Sequence, residues 1–202
     1  VHYRPAAYGQ PGRKVKVDVA INSVPAGNGV YGQASVSGGF TVGRSIVMQP
    51  NLATHQMNVV IDGQLARTIP VTGGKTGFSS RSGTKVIMEK FATLRMDANT
   101  VGIEPGDPNY YNIPDVQFAM RETNSGEFLH AAPWSVGSQG RANVSHGCIG
   151  MSTSNAAWLF SQVQVGDPVV VTGTSRSLER GNGWTDWNIP FDQFAKGSAL
   201  AS

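Results

Sequence analysis

Cysteine, charge and long apolar runs are all scarce in this chain of 202 residues. A single Cys excludes an internal disulfide and any zinc cluster built on several Cys. Charged residues make up 14%, against about 25% in average proteins, which excludes the highly charged disordered class. The sequence contains no run of about 18 uncharged apolar residues, so it predicts no transmembrane helix. The net charge of +3, without clustered Lys or Arg, argues against nucleic-acid binding.

Strand signals dominate what is present. Residues 15–21 alternate apolar and polar side chains, and Asp62-Gly63 between two β-rich runs predicts a tight hairpin. One helix is predicted at 156–163, where Ser152 offers an N-cap oxygen just upstream. The 25 Gly and 11 Pro follow no period, which favours long loops over repeats. The sequence therefore predicts a mainly β fold with one or two helices.

Three segments can be distinguished along the chain. Residues 1–40 hold one convincing strand and a Gly-rich run, so we expect either the end of a preceding β module or edge strands of the main domain. Residues 41–174 carry most of the strand signals and form the expected main domain. Residues 175–202 form an expected extension, in which Trp184 and Trp187 pack a returning tail onto that domain.

Two of the four His and the only Cys lie within nineteen positions, from His130 to Cys148. A thiol reacts as the thiolate, and its ordinary pKa of about 8.5 means that it needs a nearby base or positive charge. His130 ends a predicted strand and can reach Cys148 through a tertiary contact. His146 is only two residues away, a tether too short for productive contact. We therefore expect His130 to be the base.

The backbone around the Cys is also suited to acyl transfer. Gly147 and Gly150 allow a tight turn whose N–H groups face a reacting carbonyl and stabilise an oxyanion. The predicted helix starts shortly after Cys148, and a helix N-terminus favours a thiolate. Residues 128–166 contain no Asp or Glu, so the group that orients the imidazole must be a backbone carbonyl, an amide or hydroxyl side chain, or a distant carboxylate.

Two other interpretations stay open on the residues alone. Cys148 can be a buried, inert small side chain, with His130 as a hydrogen-bonded core histidine. The second interpretation is a mixed metal site formed by His130, His146, Cys148 and His55, although His-x-Cys is not a standard zinc spacing. We expect no metal and no cofactor, and read His2 and His55 as surface residues.

The segment resembles the active-site signature of the L,D-transpeptidases of the YkuD type. His130 is followed by fourteen residues and then Ser145-His146-Gly147-Cys148, and the flanking His-Ala-Ala-Pro-Trp-Ser-Val-Gly and Asp-Trp-Asn-Ile-Pro are similar to the mycobacterial branch. The likeness covers roughly residue 40 to the end. It implies a catalytic β-sandwich at 41–174, the remnant of an immunoglobulin-like β module at 1–40, and a C-terminal extension at 175–202.

The resemblance also implies a reaction. Cys148 attacks the L-centre to D-Ala bond of a peptidoglycan tetrapeptide stem, releases D-Ala, and passes the acyl group to the diaminopimelate amine of another stem, which forms a 3→3 cross-link. Implied partners are peptidoglycan stem peptides and covalent carbapenem inhibitors, with no nucleic acid, and with membrane contact only through an anchor outside this chain. The implied location is extracytoplasmic, periplasmic or wall-associated. An L,D-carboxypeptidase and a wall-binding module with reduced catalysis are the alternatives.

Site residues carried over from the family fall into two sets. The implied catalytic set has His130 as base and then acid, the Ala131 carbonyl holding its other ring nitrogen, and the amides of His146, Gly147 and Cys148 as the oxyanion hole. The implied substrate-binding positions are Tyr111, Ser125, Gly126, Trp134, Ser145 and Gly150.

Three positions depart from the family pattern. Gly150 stands where the family usually has Asn, and Ala131 stands where relatives commonly have a hydroxyl residue. Val101 occupies the place of a lid tyrosine, which leaves Tyr110 and Tyr111 as the expected lid aromatics.

Overall fold

The structure is a computed structural model that describes residues 2–198, and its chain separates into two compact units. One unit is Pro5–Ser45. The other combines the first four residues with the chain from Ile46 onward. Residues 40–48 form one β-rich stretch in the sequence, but the structure divides them between the two units. One strand ends at Thr41 and the next begins at Ile46.

The smaller unit contains four short strands where the sequence indicates one. Strand β1 (Lys14–Val19) pairs with β4 (Val36–Thr41) in an antiparallel ribbon, and β2 (Pro25–Gly27) pairs with β3 (Val30–Tyr31). Nearly all side chains of this unit are exposed, including large apolar ones such as Phe40. Two-stranded ribbons cannot enclose a core of their own, which explains this exposure.

The larger unit is built from two sheets. The five-stranded sheet has the order β7-β6-β5-β13-β8, and the four-stranded sheet has the order β12-β11-β10-β9. Their strands are β5 (Ile46–Asn51), β6 (Gln56–Ile61), β7 (Gln64–Pro70), β8 (Gly83–Val86), β9 (Glu89–Asp97), β10 (Asn112–Arg121), β11 (Phe128–Ala131), β12 (Ile149–Met151) and β13 (Pro168–Val171). The mainly β fold expected from the sequence is confirmed.

One hydrophobic core joins the two sheets and the first helix, α1 (Thr153–Gln162). Met48 and Val59 come from the five-stranded sheet, Met120 and Leu129 from the other, and Leu159 from the helix, all with no exposed surface. Ser152 caps the helix, as the sequence predicts, because its Oγ accepts a hydrogen bond from the Asn155 amide. The Asp62-Gly63 hairpin is also present, with both residues at positive φ.

The β11–β12 pair determines where the site lies. These two strands run parallel, so the chain must leave the sheet after Ala131 and return before Ile149. The 132–148 crossover contains a short 3-10 helix (Pro133–Ser135) and ends in the Ser-His-Gly-Cys turn. The residues singled out by the sequence therefore lie at the two ends of one crossover.

The C-terminal part of the larger unit contains a 3-10 helix (Asp186–Asn188) and the short helix α2 (Phe191–Ala195). The Arg4 guanidinium lies over the rings of Trp187, Phe191 and Phe194, 4.9–5.4 Å from their centroids, and donates to the Ile189 carbonyl. Trp184, in contrast, is half exposed. Within residues 2–198, no helix is both long and apolar enough to cross a membrane.

Candidate active site

His130 lies on β11, and Cys148 immediately precedes Ile149, the first residue of the parallel strand β12. In the register of β11 and β12, His130 stands opposite Gly150, and Cys148 precedes Gly150 by two residues. Side chains two apart on a strand point to the same face, so the imidazole and the thiol share one side of the sheet. Both are buried, and both line a cavity of about 290 Å³.

Residues from several elements complete the wall of this cavity. Of the residues that the sequence singles out, Tyr111, Trp134, Ser145, His146 and Gly150 also line it. Six others were not predicted: Thr72, Met96 and Ile113 come from distant parts of the chain, whereas Ala132, Ser135 and Val144 lie in the crossover between His130 and Cys148. Most of this wall is apolar, as is usual for a cavity that binds a small molecule or a peptide segment.

The His130 ring is oriented by the backbone. Its Nδ1 lies 2.8 Å from the Ala131 carbonyl oxygen, and since a carbonyl only accepts, Nδ1 carries the proton and Nε2 keeps its lone pair. Burial lowers the pKa of His130, and the bond to Ala131 opposes this only in part. Trp134 stacks on the ring at 5.8 Å between centroids. His130 is therefore a neutral base with a free Nε2.

Cys148 is held as a thiol. Its Sγ lies 3.7 Å from the Gly126 carbonyl, to which it donates, and burial raises its pKa to about 12. A hydrogen bond from the Phe128 amide lowers that pKa, but burial outweighs it. Burial is the largest influence on this pKa, and the expected contribution of the following helix N-terminus stays a prediction.

Ser145 organises the turn that carries the nucleophile. Its Oγ donates to the Cys148 carbonyl at 2.6 Å and accepts the Gly147 N–H at 3.1 Å. Gly147 has φ 126°, a conformation that residues with a Cβ rarely adopt. The Gly147 amide is thus already occupied, so it reaches an oxyanion only if Ser145 releases it. The amides of His146 and Cys148 stay the other predicted donors.

His146 forms part of the wall. Its ring contacts Phe78 edge-on at 4.7 Å and lies 5.0 Å from the ring of Tyr111. Burial lowers the pKa of His146, as does the neighbouring Lys75, while Asp107 opposes them. Its Nε2 is buried with no hydrogen-bond partner. His146 is therefore a neutral aromatic element of the site.

The remaining predicted substrate positions lie at the edge. Ser125 hydrogen-bonds the Asn182 side chain through both its amide and its Oγ, and Gly126 supplies the carbonyl that receives the thiol. Neither residue lines the cavity. Val101 is exposed and lies close to Gly126, since its Cγ1 is 3.1 Å from the place where a Cβ on Gly126 would be. Tyr110 accepts a hydrogen bond from Asn112 outside the lining, so Tyr111 alone of the two tyrosines faces the cavity.

Gly150 is enclosed. A Cβ at this position would lie 2.8 Å from the Cβ of Ala132 and 3.3 Å from Cγ2 of Thr72. The backbone of Gly150 exchanges both hydrogen bonds with Thr72, so it cannot move away. An Asn side chain does not fit here as the neighbours stand.

Three members of the alternative metal site, His130, His146 and Cys148, line one cavity, but the fourth, His55, is not among its lining residues. His55 Nδ1 bonds the Asn143 side-chain oxygen at 3.0 Å, and His2 bonds Asp186. His55 is partly buried rather than on the surface. Within residues 2–198, no three His, Cys, Asp or Glu side chains are grouped so that they could hold a metal ion.

Comparison with known proteins assigns the family. Residues 46–171 match the model of the YkuD family, described as the L,D-transpeptidase catalytic domain. The chain therefore belongs to the YkuD L,D-transpeptidase catalytic-domain family, and the resemblance to its mycobacterial branch is confirmed.

Mycobacterial relatives agree with this assignment. L,D-transpeptidase 2 of Mycobacterium tuberculosis is 36% identical over 202 residues, which cover 100% of this chain and 49% of that protein. L,D-transpeptidase 1 of the same species is 40% identical over 142 residues, which cover 70% of this chain and 56% of that protein. The chain thus spans about half the length of these relatives.

Solved structures share the fold. An LD transpeptidase in complex with imipenem matches with a TM-score of 0.66 at 40% identity, covering 68% of this chain and 63% of that chain. L,D-transpeptidase 3 from Mycobacterium tuberculosis, in complex with a faropenem-derived adduct, matches with a TM-score of 0.64 at 31% identity, covering 70% and 65%.

Proposed function

We propose that this chain is the catalytic part of a peptidoglycan L,D-transpeptidase that forms 3→3 cross-links through a Cys148 thioester. The observation that carries the proposal is a cavity lined by both Cys148 and His130, in which the Ala131 carbonyl holds Nδ1 of His130 and leaves the lone pair on Nε2. Membership of the L,D-transpeptidase family supports it. The proposed location is extracytoplasmic, where peptidoglycan is found.

The first half-reaction forms the thioester. His130 Nε2 takes the Sγ proton as the sulfur attacks the carbonyl carbon between the L-centre and the terminal D-Ala of a tetrapeptide stem. The carbonyl oxygen becomes an oxyanion that the turn amides stabilise. The intermediate collapses, the C–N bond breaks, and His130 returns the proton to the departing D-Ala amine.

In the second half-reaction, the diaminopimelate amine of a second stem attacks the thioester. His130 accepts a proton from that amine, the new amide forms, and the thiol leaves with the proton back on Sγ. Water in place of the amine would yield a tripeptide stem, which is the L,D-carboxypeptidase reaction. His130 is buried and Trp134 stacks on its ring, so little water reaches the base directly.

Intact-protein mass spectrometry after exposure to a carbapenem tests the nucleophile. One covalent adduct per chain is expected for the wild type and none for Cys148→Ala. An unmodified wild type, or an adduct that persists in Cys148→Ala, contradicts the proposal.

Product analysis tests the reaction class. Purified tetrapeptide stems incubated with the protein should release D-Ala and yield a cross-linked dimer. A tripeptide as the main product would establish the carboxypeptidase instead. Sedimentation with purified sacculi without any Cys148-dependent release of D-Ala would establish a wall-binding module with reduced catalysis.

A further inference from the structure

A cluster of buried charges lies beneath the nucleophile turn, one residue outside the 128–166 window that contains no acid. Lys85 has no exposed side-chain surface, and its Nζ donates to Glu127 Oε2 at 2.6 Å and to Glu122 Oε2 at 3.3 Å. Arg81 donates to Glu127 Oε1 through Nη1 at 2.9 Å and through its backbone amide at 3.1 Å. The outer face of Arg81 pairs with Glu179 at 2.5 Å.

Glu127 is the member of this cluster that lies beside Gly147 in the turn. Its Oε1 lies 3.4 Å, and its Cγ 3.5 Å, from the place where a Cβ on Gly147 would stand. Its own amide is held by Thr123 Oγ1 at 2.9 Å, and its carbonyl accepts the Glu122 amide at 2.9 Å. Three donors therefore hold the carboxylate, two further hydrogen bonds hold the Glu127 backbone, and the side chain fills the space that a Cβ on Gly147 would face.

Glu122 has fewer hydrogen bonds on its carboxylate than Glu127. It makes one side-chain hydrogen bond, to Lys85, and its Oε1 is buried with no partner. Burial raises the pKa of Glu122, and the charge of Lys85 only partly opposes this. Glu127, with three donors on its carboxylate, is the more firmly held side chain of the two.

Stability alone is a weak reason for such a cluster. The desolvation of a buried ion pair costs several kcal/mol, which the attraction between the charges often only balances. Groups that hold the residues of an active site in place need rigid, directional contacts, and a doubly clamped carboxylate provides them. The location under the turn points to the second role.

We propose that Glu127, clamped by Lys85 and Arg81, is a positioning residue that supports the Gly147–Cys148 turn from below and so fixes the nucleophile. The inference rests on the proposed function, since it takes Cys148 as the nucleophile. Glu127 acts through the turn and does not touch the substrate.

The experiment compares Glu127→Asp with Glu122→Asp. Both variants keep the charge and shorten the side chain by one methylene, but only the first withdraws a carboxylate from Gly147. The readout is hydrogen–deuterium exchange of a peptide spanning residues 140–150, followed by the rate of carbapenem acylation. We expect Glu127→Asp to exchange at least tenfold faster in this peptide and to acylate at least tenfold more slowly, with Glu122→Asp within threefold of the wild type.

Two results would overturn the proposal. If exchange of the 140–150 peptide is unchanged in Glu127→Asp, Glu127 does not support the turn. If exchange accelerates equally in both variants, the cluster acts only through overall stability. If Glu127→Asp does not unfold cooperatively, Arg81→Lys replaces it, with the exposed Arg176→Lys as its control. Arg81→Lys then has to accelerate exchange at least threefold, and an unchanged rate overturns the proposal.

Exchange does not depend on turnover, so the two proposals fail separately. A wild type that forms no carbapenem adduct contradicts the proposed function while the exchange comparison still tests Glu127. A wild type that acylates normally, with Glu127→Asp equal to it, contradicts only the positioning role.

Discussion

Replacement of Gly150 by Ala should destabilise the larger unit, although Gly to Ala in a strand ordinarily stabilises. The new methyl group would lie 2.8 Å from the Ala132 Cβ, where ordinary contacts begin near 3.4 Å. Neither atom can rotate away, because each is attached directly to a backbone. Overpacking of this kind costs about 1–3 kcal/mol. The reduced entropy of the unfolded chain returns about 0.4–1 kcal/mol.

The expected net loss is about 1–2 kcal/mol in the free energy of unfolding, or a fall of about 3–6 °C in Tm for a unit of this size. Urea unfolding followed by Trp fluorescence measures it. Gly137→Ala is the control, since nothing lies within 4 Å of its Cβ position and its φ is not positive. The double variant Ala132→Gly/Gly150→Ala should recover at least half of the loss. A Gly150→Ala chain as stable as the wild type would refute the reasoning.

Three further predictions concern the site and its supports. The rate of carbapenem acylation should fall in acid with a midpoint below pH 6.5, the ordinary pKa of His, because burial lowers the pKa of His130. Below that midpoint the protonated ring cannot accept the thiol proton. A rate that instead climbs continuously above pH 8 would indicate a free thiolate as the reactive form. Asn143→Ala should lower the free energy of unfolding, measured with urea, by about 2–3 kcal/mol. The Asn143 side chain makes three hydrogen bonds, to His55, the Gly73 amide and the Leu52 carbonyl. A loss below about 1 kcal/mol would show that water replaces them. Ser152→Ala should lower the free energy of unfolding by about 0.5–2 kcal/mol through loss of the α1 cap, with Ser152→Gly closer to the wild type, and equal losses in the two would argue against a capping effect.

Local features of the sequence predicted much of what the structure contains. The β content follows from alternating patterns, and the cap at Ser152 from its hydroxyl just before an apolar stretch. The pairing of His130 with the Ala131 carbonyl is a contact between adjacent residues, so the family resemblance could indicate it in full. All of these depend on residues close together in the chain.

The remainder depends on contacts between distant residues. Glu127 meets Arg81 and Lys85 across more than forty positions, and no short window of sequence brings them together. The protonated state of Cys148 follows from its burial. The start of a helix nearby in the sequence gives no information on how deeply the thiol is buried. The enclosure of Gly150 by Ala132 depends on the parallel register of β11 and β12.

The buried thiol of Cys148 has a consequence for chemical durability. Peroxide and disulfide exchange consume the thiolate, so a thiol with a pKa of about 12 is oxidised slowly while the enzyme waits for substrate. In the proposed mechanism, Sγ loses its proton only when an acyl donor fills the cavity and His130 accepts that proton. The same desolvation that raises the pKa of Cys148 therefore also protects the only thiol of the chain from oxidation.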